Sequence, residues 1–145
     1  MEKFNQIELE LLECNIDDMN PQIYPYVMKK LLDIGANDVW ITPIIMKEGR
    51  PANTLSVLCN EVLTNEILEI LFSETTSIGI RESTVKRFQL ERENQKISIE
   101  SGEVSMKISK DSAGKEYNRS LEFKDCQKLA EKTKLPLKTI YNKIK

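Results

Sequence analysis

Val39-Trp40-Ile41-Thr42-Pro43-Ile44-Ile45-Met46 is the stretch that decides the fold. Its β-branched and aromatic residues make it a strand, yet Pro43 has no N–H to give a central ladder. The strand therefore belongs at a sheet edge. Upstream, residues 6–13 alternate: Ile7, Leu9 and Leu11 point one way and Glu8 and Glu10 the other, as in a half-buried strand. Between the two, from Pro21 to Gly35, Tyr24, Val27, Met28, Leu31 and Leu32 recur at helical spacing, and Gly35 suits a C-terminal cap. Pro25 lacks the donor for a bond back to residue 21, so either the first turn is irregular or the regular helix begins at Pro25. Downstream, Lys47-Glu48-Gly49-Arg50-Pro51 reads as a turn and residues 54–59 alternate again. Residues 61–76 carry Leu63, Ile67, Ile70 and Leu71 on one helical stripe, and Gly79 opens a strand running to about Arg92.

The order is βαββαβ, and its simplest closed form is an α+β, ferredoxin-like split-βαβ sandwich with four antiparallel strands and two helices on one face. In that topology the first and third strands are central and the second and fourth are edges, which puts Pro43 where a proline is tolerated. Beyond Arg92 the pattern becomes a small β-meander. Residues 96–100 and 104–108 alternate around Ser101-Gly102-Glu103, Asp111-Ser112-Ala113-Gly114 makes a turn, and residues 115–120 suit a third strand. A helix near 123–133 and a last helical stretch opened by Pro136 complete the chain. The reading is a ferredoxin-like domain over 1–94 and a small meander-plus-helix domain over 95–145.

The composition of this 145-residue chain, 40% hydrophobic and 30% charged, is that of a globular protein able to bury a core. No apolar run approaches the roughly 20 residues of a membrane span, and the polar start Met1-Glu2-Lys3-Phe4-Asn5 is no signal peptide. Cys14, Cys59 and Cys126 share no metal or redox spacing and read as reduced thiols of a cytoplasmic protein. There is no histidine, which excludes a histidine-ligated zinc site, a Ser-His or Cys-His pair and a histidine base within this chain. Any metal must be held mainly by oxygen, which favours magnesium, manganese or calcium. Residues 1–103 carry 10 basic and 18 acidic side chains, whereas residues 104–145 carry 11 and 5. Such a basic tail attracts phosphate, nucleic acid or an acidic neighbour, or is simply solvated.

The topology brings three loops to one rim: 13–20, 47–51 and 74–81. They bear Asn15, Asp17 and Asp18, then Lys47 and Arg50, then Thr75, Thr76 and Arg81. Taken singly each has an ordinary explanation, since acids before Asn20-Pro21 favour a helix start and Thr75 and Thr76 suit the end of a helix. Together, carboxylates, cations and hydroxyls on one edge are the set expected for a metal–phosphate ligand such as a nucleoside triphosphate.

The chain also resembles a known family. Glu13, Asn15-Ile16-Asp17-Asp18-Met19-Asn20-Pro21, Gly35-Ala36-Asn37-Asp38-Val39, Thr42-Pro43, Met46-Lys47, Arg50-Pro51, the run from Phe72 to Arg81, and Asp125-Cys126 through Leu129-Ala130-Glu131 resemble the C-terminal portion of the LarC-type nickel insertion proteins. That resemblance implies an enzyme, a nickel chelatase or CTP-dependent cyclometallase. It inserts Ni2+ into pyridinium-3,5-bisthiocarboxylic acid mononucleotide to make the nickel-pincer nucleotide cofactor of lactate racemase, cleaving CTP to CMP and pyrophosphate. It implies CTP with Mn2+ or Mg2+ bound in this portion: Asp17 and Asp18 toward the metal, Asn15, Lys47, Arg50, Thr75, Thr76 and Arg81 toward CTP and its phosphates. Lys47 and Arg50 are the catalytic candidates, by charge stabilisation. The implied partners are CTP, the pyridinium mononucleotide and the N-terminal portion of the same insertase, with no membrane and no nucleic acid. Homo-oligomerisation is expected because edge strands invite pairing. Two departures stand out: Glu48 where the family more often has a second lysine, and Leu121-Glu122-Phe123 in place of a more usual Pro-Glu-Tyr.

Two readings from other classes compete. Residues 125–141 resemble a helix-turn-helix, with Leu129, Ala130, Leu135 and Ile140 at suitable spacing and Lys138, Thr139, Tyr141 and Lys143 placed to face a DNA groove. A ferredoxin-like sandwich can also be an oligomerisation module with no ligand.

Overall fold

The computed structural model describes residues 2–99 and 102–143. It divides into two compact units, Ile7–Arg87 and a second made of Met1–Gln6 with Phe88–Lys145. The expected division at residue 94 differs from this one. One reason is that the second unit's first strand already begins at Glu91, paired with Lys110.

The first unit follows the order β1 (Asn5–Ile16), α1 (Ile23–Asp33), β2 (Asp38–Met46), β3 (Arg50–Cys59), α2 (Thr64–Glu74) and β4 (Arg81–Gln89). Its sheet has the order β2-β3-β1-β4, so β1 and β3 are central and Pro43 lies on an edge strand. This is the split-βαβ sandwich expected from the sequence. The β1/β3 and β2/β3 pairs are antiparallel, with Ile16 opposite Asn53, Asn15 opposite Thr54 and Met46 opposite Arg50. Leu12, Cys14 and Ile16 of β1 and Leu55, Val57 and Cys59 of β3 form one buried face, closed by Tyr24, Val27 and Leu31 of α1 and Ile67, Ile70 and Leu71 of α2. Alternation sends Thr54 and Ser56 to the opposite face, where they too are buried.

Local chemistry sets the ends of these elements. Asn20 Oδ1 accepts from the Gln22 amide at 3.0 Å, an Asx turn that starts α1. Pro25 is tolerated because it falls in the first turn, where no intrahelical donor is required, and the Tyr24 amide takes the Pro21 carbonyl instead. At the other end the Ala36 amide reaches back to the Leu31 carbonyl at 3.1 Å around Gly35, whose φ of +113° is costly for other residues. The expected second helix begins with a short 3-10 turn, Glu61–Leu63, before α2. The strand expected to run from Gly79 to Arg92 begins at Arg81, and a break at Leu90 separates β4 from the next strand.

The second unit holds β5 (Glu91–Ile99), β6 (Gly102–Lys110), β7 (Glu116–Leu121), α3 (Phe123–Thr133) and α4 (Leu137–Asn142). Its three strands form an antiparallel meander in sequence order. Of the turn expected at Ser101-Gly102-Glu103, Ser101 lies outside the described residues, as does Glu100 at the end of the strand before it. Val104 of β6, Cys126 and Leu129 of α3 and Ile140 of α4 make the buried centre. Residues 2–6 are tied to this unit by Ser112, whose hydroxyl donates to the Glu2 carbonyl at 2.7 Å and whose amide donates to Lys3. Phe4 also packs edge-on against Tyr117.

Candidate functional site

The rim of the first unit is built where β1 ends, the β2–β3 hairpin turns and α2 gives way to β4. Each of the three loops contributes side chains that touch another. Arg50, at the start of β3, holds Asp17 at 3.5 Å and Glu48 at 2.9 Å. Thr76, after α2, donates to Asp18 Oδ1 at 2.6 Å. Arg81, at the start of β4, donates to Asn15 Oδ1 at 3.2 Å and lies 3.7 Å from Glu13 Oε2. Thr54 and Ser56 donate from β3 to Asn15 and Glu13 at 2.8 and 3.2 Å. Two cations, four carboxylates and several hydroxyls are thus gathered around one sheet end.

Two of the expected residues stand apart from this set. Lys47 is exposed at the hairpin and has no hydrogen bond or ion pair among the described residues. The Thr75 hydroxyl donates to the Leu71 carbonyl at 2.5 Å and accepts from the Ser77 amide, so it finishes α2. The hairpin is tight: Glu48 and Gly49 both have positive φ, 64° and 71°. That geometry returns the chain over three residues and turns Glu48 toward Arg50. Beneath the rim, burial pushes the Cys14 thiol up, against a smaller opposing pull from Ser77 and Arg81. Cys14 therefore stays an unreactive thiol.

Among the described residues no group of three or more cysteines and carboxylates is placed to hold a metal ion. A divalent cation here would rest on Asp17 and Asp18 together with oxygens of its own ligand, the usual habit of magnesium at phosphates. The donor set fits that role, since Asp18 is exposed, the Asp17 side chain is 23% exposed, and each is held by a single polar side chain that could exchange partners. With no histidine and the Cys14 thiol pushed up by burial, the rim's side chains suit charge stabilisation and alignment rather than covalent attack.

Beside the rim, on the helix side of the sheet, lies a cleft of about 410 Å³. Asp17 lines it together with Pro21, Tyr24, Pro43, Pro51 and Asn53. Thr54 and Ser56, which anchor the Arg81 partners Asn15 and Glu13, and Asn53 in the cleft were not singled out from the sequence, and Glu13 stood there only among the residues that carry the resemblance. Their roles depend on strand register, and the only sequence signal was polar residues on an otherwise apolar central strand.

The helix pair proposed as a DNA reader is present, with Lys134 at φ 58° between α3 and α4. Cys126, Leu129 and Ile140 turn its apolar side onto Val104, and α4 is only six residues long.

Fold and rim together define a two-unit α+β protein whose split-βαβ half gathers cations and carboxylates at one end of its sheet. The chain belongs to the nickel insertion protein family, which its residues 1–141 match. It is 42% identical over 137 residues to the pyridinium-3,5-bisthiocarboxylic acid mononucleotide nickel insertion protein of Acetivibrio thermocellus, covering 94% of this chain and 33% of the relative. It is also 42% identical over 144 residues to the protein of that name from Clostridium acetobutylicum, covering 99% of this chain and 34% of the relative. The chain therefore spans about a third of the length of these relatives. Among solved structures it is similar to LarC2 in its apo form, the C-terminal domain of a cyclometallase involved in synthesis of the NPN cofactor of lactate racemase. That match has a TM-score of 0.85 at 33% identity and covers 96% of this chain and 95% of that one. A protein from Methanopyrus kandleri shares the fold, with a TM-score of 0.69 at 19% identity, covering 93% and 85% of the two chains. No helix among the described residues is long and apolar enough to cross a membrane.

Proposed function

We propose that this chain is the CTP- and divalent-metal-binding part of a CTP-dependent nickel insertase. The whole enzyme would insert Ni2+ into pyridinium-3,5-bisthiocarboxylic acid mononucleotide and cleave CTP to CMP and pyrophosphate. One observation carries the reading: side chains from three separate loops, Asp17, Asp18, Arg50 and Thr76, meet at one rim through direct contacts. Family membership supports it, because relatives are named for insertion into that mononucleotide.

In this reading Asp17 and Asp18 hold the divalent metal, Mn2+ or Mg2+, against the triphosphate. When bound, that metal supplies neutralising charge for a departing pyrophosphate. Arg50 leaves Glu48 and Asp17 for phosphate oxygens, a favourable exchange for a guanidinium because phosphate accepts it bidentately. Lys47, unpaired among the described residues, adds a second cation at the hairpin, and the two serve as catalytic residues by stabilising charge. Thr76 aligns the phosphate chain, Thr75 fixes the end of α2 from which the loop departs, and Arg81 with Asn15 borders it. Nickel is the cargo, and its delivery falls to the N-terminal portion of the enzyme together with this one. Three buried free cysteines suit a reducing, cytoplasmic setting.

Calorimetric titration of the protein with CTP, ATP and a DNA duplex, each with and without Mn2+, tests the reading. Metal-dependent preference for CTP is the expected result. Salt-sensitive duplex binding without nucleotide preference, or silence with every ligand, would overturn it.

A further inference from the structure

The sheet of the first unit has a second face, turned away from the helices, and strand register lays out a polar surface there. On β2, Val39 and Ile41 pack into the helix-side core, so Trp40 and Thr42 face the other way. Trp40 stands opposite Ser56, and Ser56 opposite Glu13; Thr42 stands opposite Thr54, and Thr54 opposite Asn15. Two rows of side chains thus cross β2, β3 and β1. Thr54 and Ser56 are buried in the middle of the rows and donate their hydroxyl hydrogens to Asn15 and Glu13. Arg81 closes the rows from β4 by meeting both Asn15 and Glu13. The face runs from an exposed aromatic ring at one edge to an exposed guanidinium at the other.

The groups at its two ends call for opposite charges. Trp40 is the chain's single tryptophan and is 37% exposed. Its indole N–H and the Thr42 hydroxyl have no hydrogen-bond partner among the described residues. An indole face with a carboxylate, Glu13, in its own row suits a cation. Arg81 gives one N–H to Asn15 and lies 3.7 Å from Glu13, so most of its donors stay open to an anion. β2 and β1 are about 10 Å apart across β3, which sets the span between the cation-seeking and anion-seeking ends. A ligand that matches is flat, positively charged in its ring, and anionic some distance from it. The mononucleotide for which the relatives are named has that form: a pyridinium ring, two thiocarboxylates and a phosphate.

We propose that this face docks the pyridinium mononucleotide, its cationic ring stacked on Trp40, its anionic groups on Arg81 and the Thr42 hydroxyl between them. The inference rests on the proposed function for the identity of the ligand, and on the register of the face for its place. The site is on the opposite side of the sheet from the cleft beside Asp17. Cation–π attraction is strongest with indole and grows as water is excluded, and a neutral cytosine ring offers none of it. The face therefore separates the substrate from the nucleotide. Because Arg81 also borders the rim, the anionic end of the docked substrate comes to the edge where the triphosphate is held.

The test uses pyridinium-3,5-dicarboxylic acid mononucleotide, which carries oxygen where the substrate carries sulfur, and its dihydropyridine form, which has the same substituents and no ring charge. With a single tryptophan, quenching of the wild-type emission by the pyridinium form reports stacking on Trp40 directly. Calorimetry then gives dissociation constants for both forms and for Mn2+–CTP on wild type, Trp40→Phe and Trp40→Leu. The expected result is strong quenching, a roughly five- to tenfold weaker dihydropyridine form, and a loss of the same size for the pyridinium form in Trp40→Leu. Trp40→Phe should fall between, and Mn2+–CTP affinity should not change in either variant. Absence of quenching, or pyridinium affinity in Trp40→Leu within twofold of wild type, overturns the proposal. So does equal binding of the charged and uncharged rings. An emission maximum that shifts with protein concentration and not with ligand assigns Trp40 to a contact between copies and overturns it too. Melting of each variant is recorded first; if Trp40→Leu unfolds, Trp40→Phe and the two ligand forms on wild type decide the matter. Wild type that binds the pyridinium form but no Mn2+–CTP overturns the parent reading of the rim alone, and wild type that binds Mn2+–CTP without quenching by the pyridinium form overturns this proposal alone.

Discussion

Replacing Asp17 and Asp18 together with asparagine separates a metal site from an acidic helix start. The structure sets the stability side of the ledger. Asp17 meets Arg50 at 3.5 Å with the arginine side chain 57% exposed, an ion pair of the kind worth about 0–1 kcal/mol. Asp18 accepts from Thr76 on the exposed rim, and an asparagine oxygen can accept the same proton. The double variant should therefore lose only about 1 kcal/mol and melt about 2–4 °C lower. Binding is affected far more. At an effective dielectric near 20, unit charges about 4 Å apart interact by about 4 kcal/mol, and a divalent ion doubles that for each carboxylate. Even with most of it offset by hydration, a thousandfold loss of Mn2+-dependent CTP affinity is the expected outcome. Without metal the sign reverses: two repulsive charges are gone and Arg50 is freed, so bare CTP should bind as well as before or slightly better. Calorimetry with and without Mn2+, alongside thermal melting, reads all three quantities. Mn2+–CTP affinity within threefold of wild type would refute the argument. So would an equal loss with and without metal, which would make the two aspartates structural.

Two further outcomes follow from particular contacts. Glu48→Gly relieves a left-handed residue and removes the closer of Arg50's two carboxylates, so Mn2+–CTP should bind at least threefold tighter. Stability should stay within about 1 kcal/mol, because the relief and the added freedom of glycine in the unfolded chain oppose each other; calorimetry and denaturant melts check both. In the second unit, hydrogen bonds from Ser105 hold the Asp125 carboxyl below its ordinary range. A lowered folded pKa contributes stability above the unfolded value, near 3.9, that is lost as pH falls through the folded one. Wild type should thus exceed Asp125→Asn in melting temperature at pH 7, with the gap closing below about pH 4.

The ferredoxin-like half was legible because single residues carried its rules. Pro43 could only be at an edge, Gly35 could only be a cap, and the loop positions then followed from topology. What was not legible depended on register and on breaks that no residue announces. Glu91-Arg92-Glu93-Asn94-Gln95-Lys96 is built of residues poor in strand preference, so nothing in it marks Glu91 as the start of a new strand after Leu90. Asn15 and Thr54 are 39 positions apart, and their pairing exists only once β1 and β3 are aligned. Lys47 and Arg50 looked equivalent in sequence, but Arg50 lies within the strand opposite Met46 and Lys47 belongs to the turn. The cleft was invisible because its prolines serve three different local purposes. Only in space do they become neighbours.

The passage of the chain through its two units has a consequence for how the protein folds. Ile7–Arg87 is continuous, whereas the other unit must join residues 2–6 to residues beyond 88. Joining them in an unfolded chain means closing a long loop, at an entropic cost that grows with the logarithm of its length. Folding of the nested unit first fixes the two ends of that loop, and the Lys3–Ser112 and Phe4–Tyr117 contacts can then form without it. An order of assembly that runs from the inserted segment outward thus spares the discontinuous unit that closure cost.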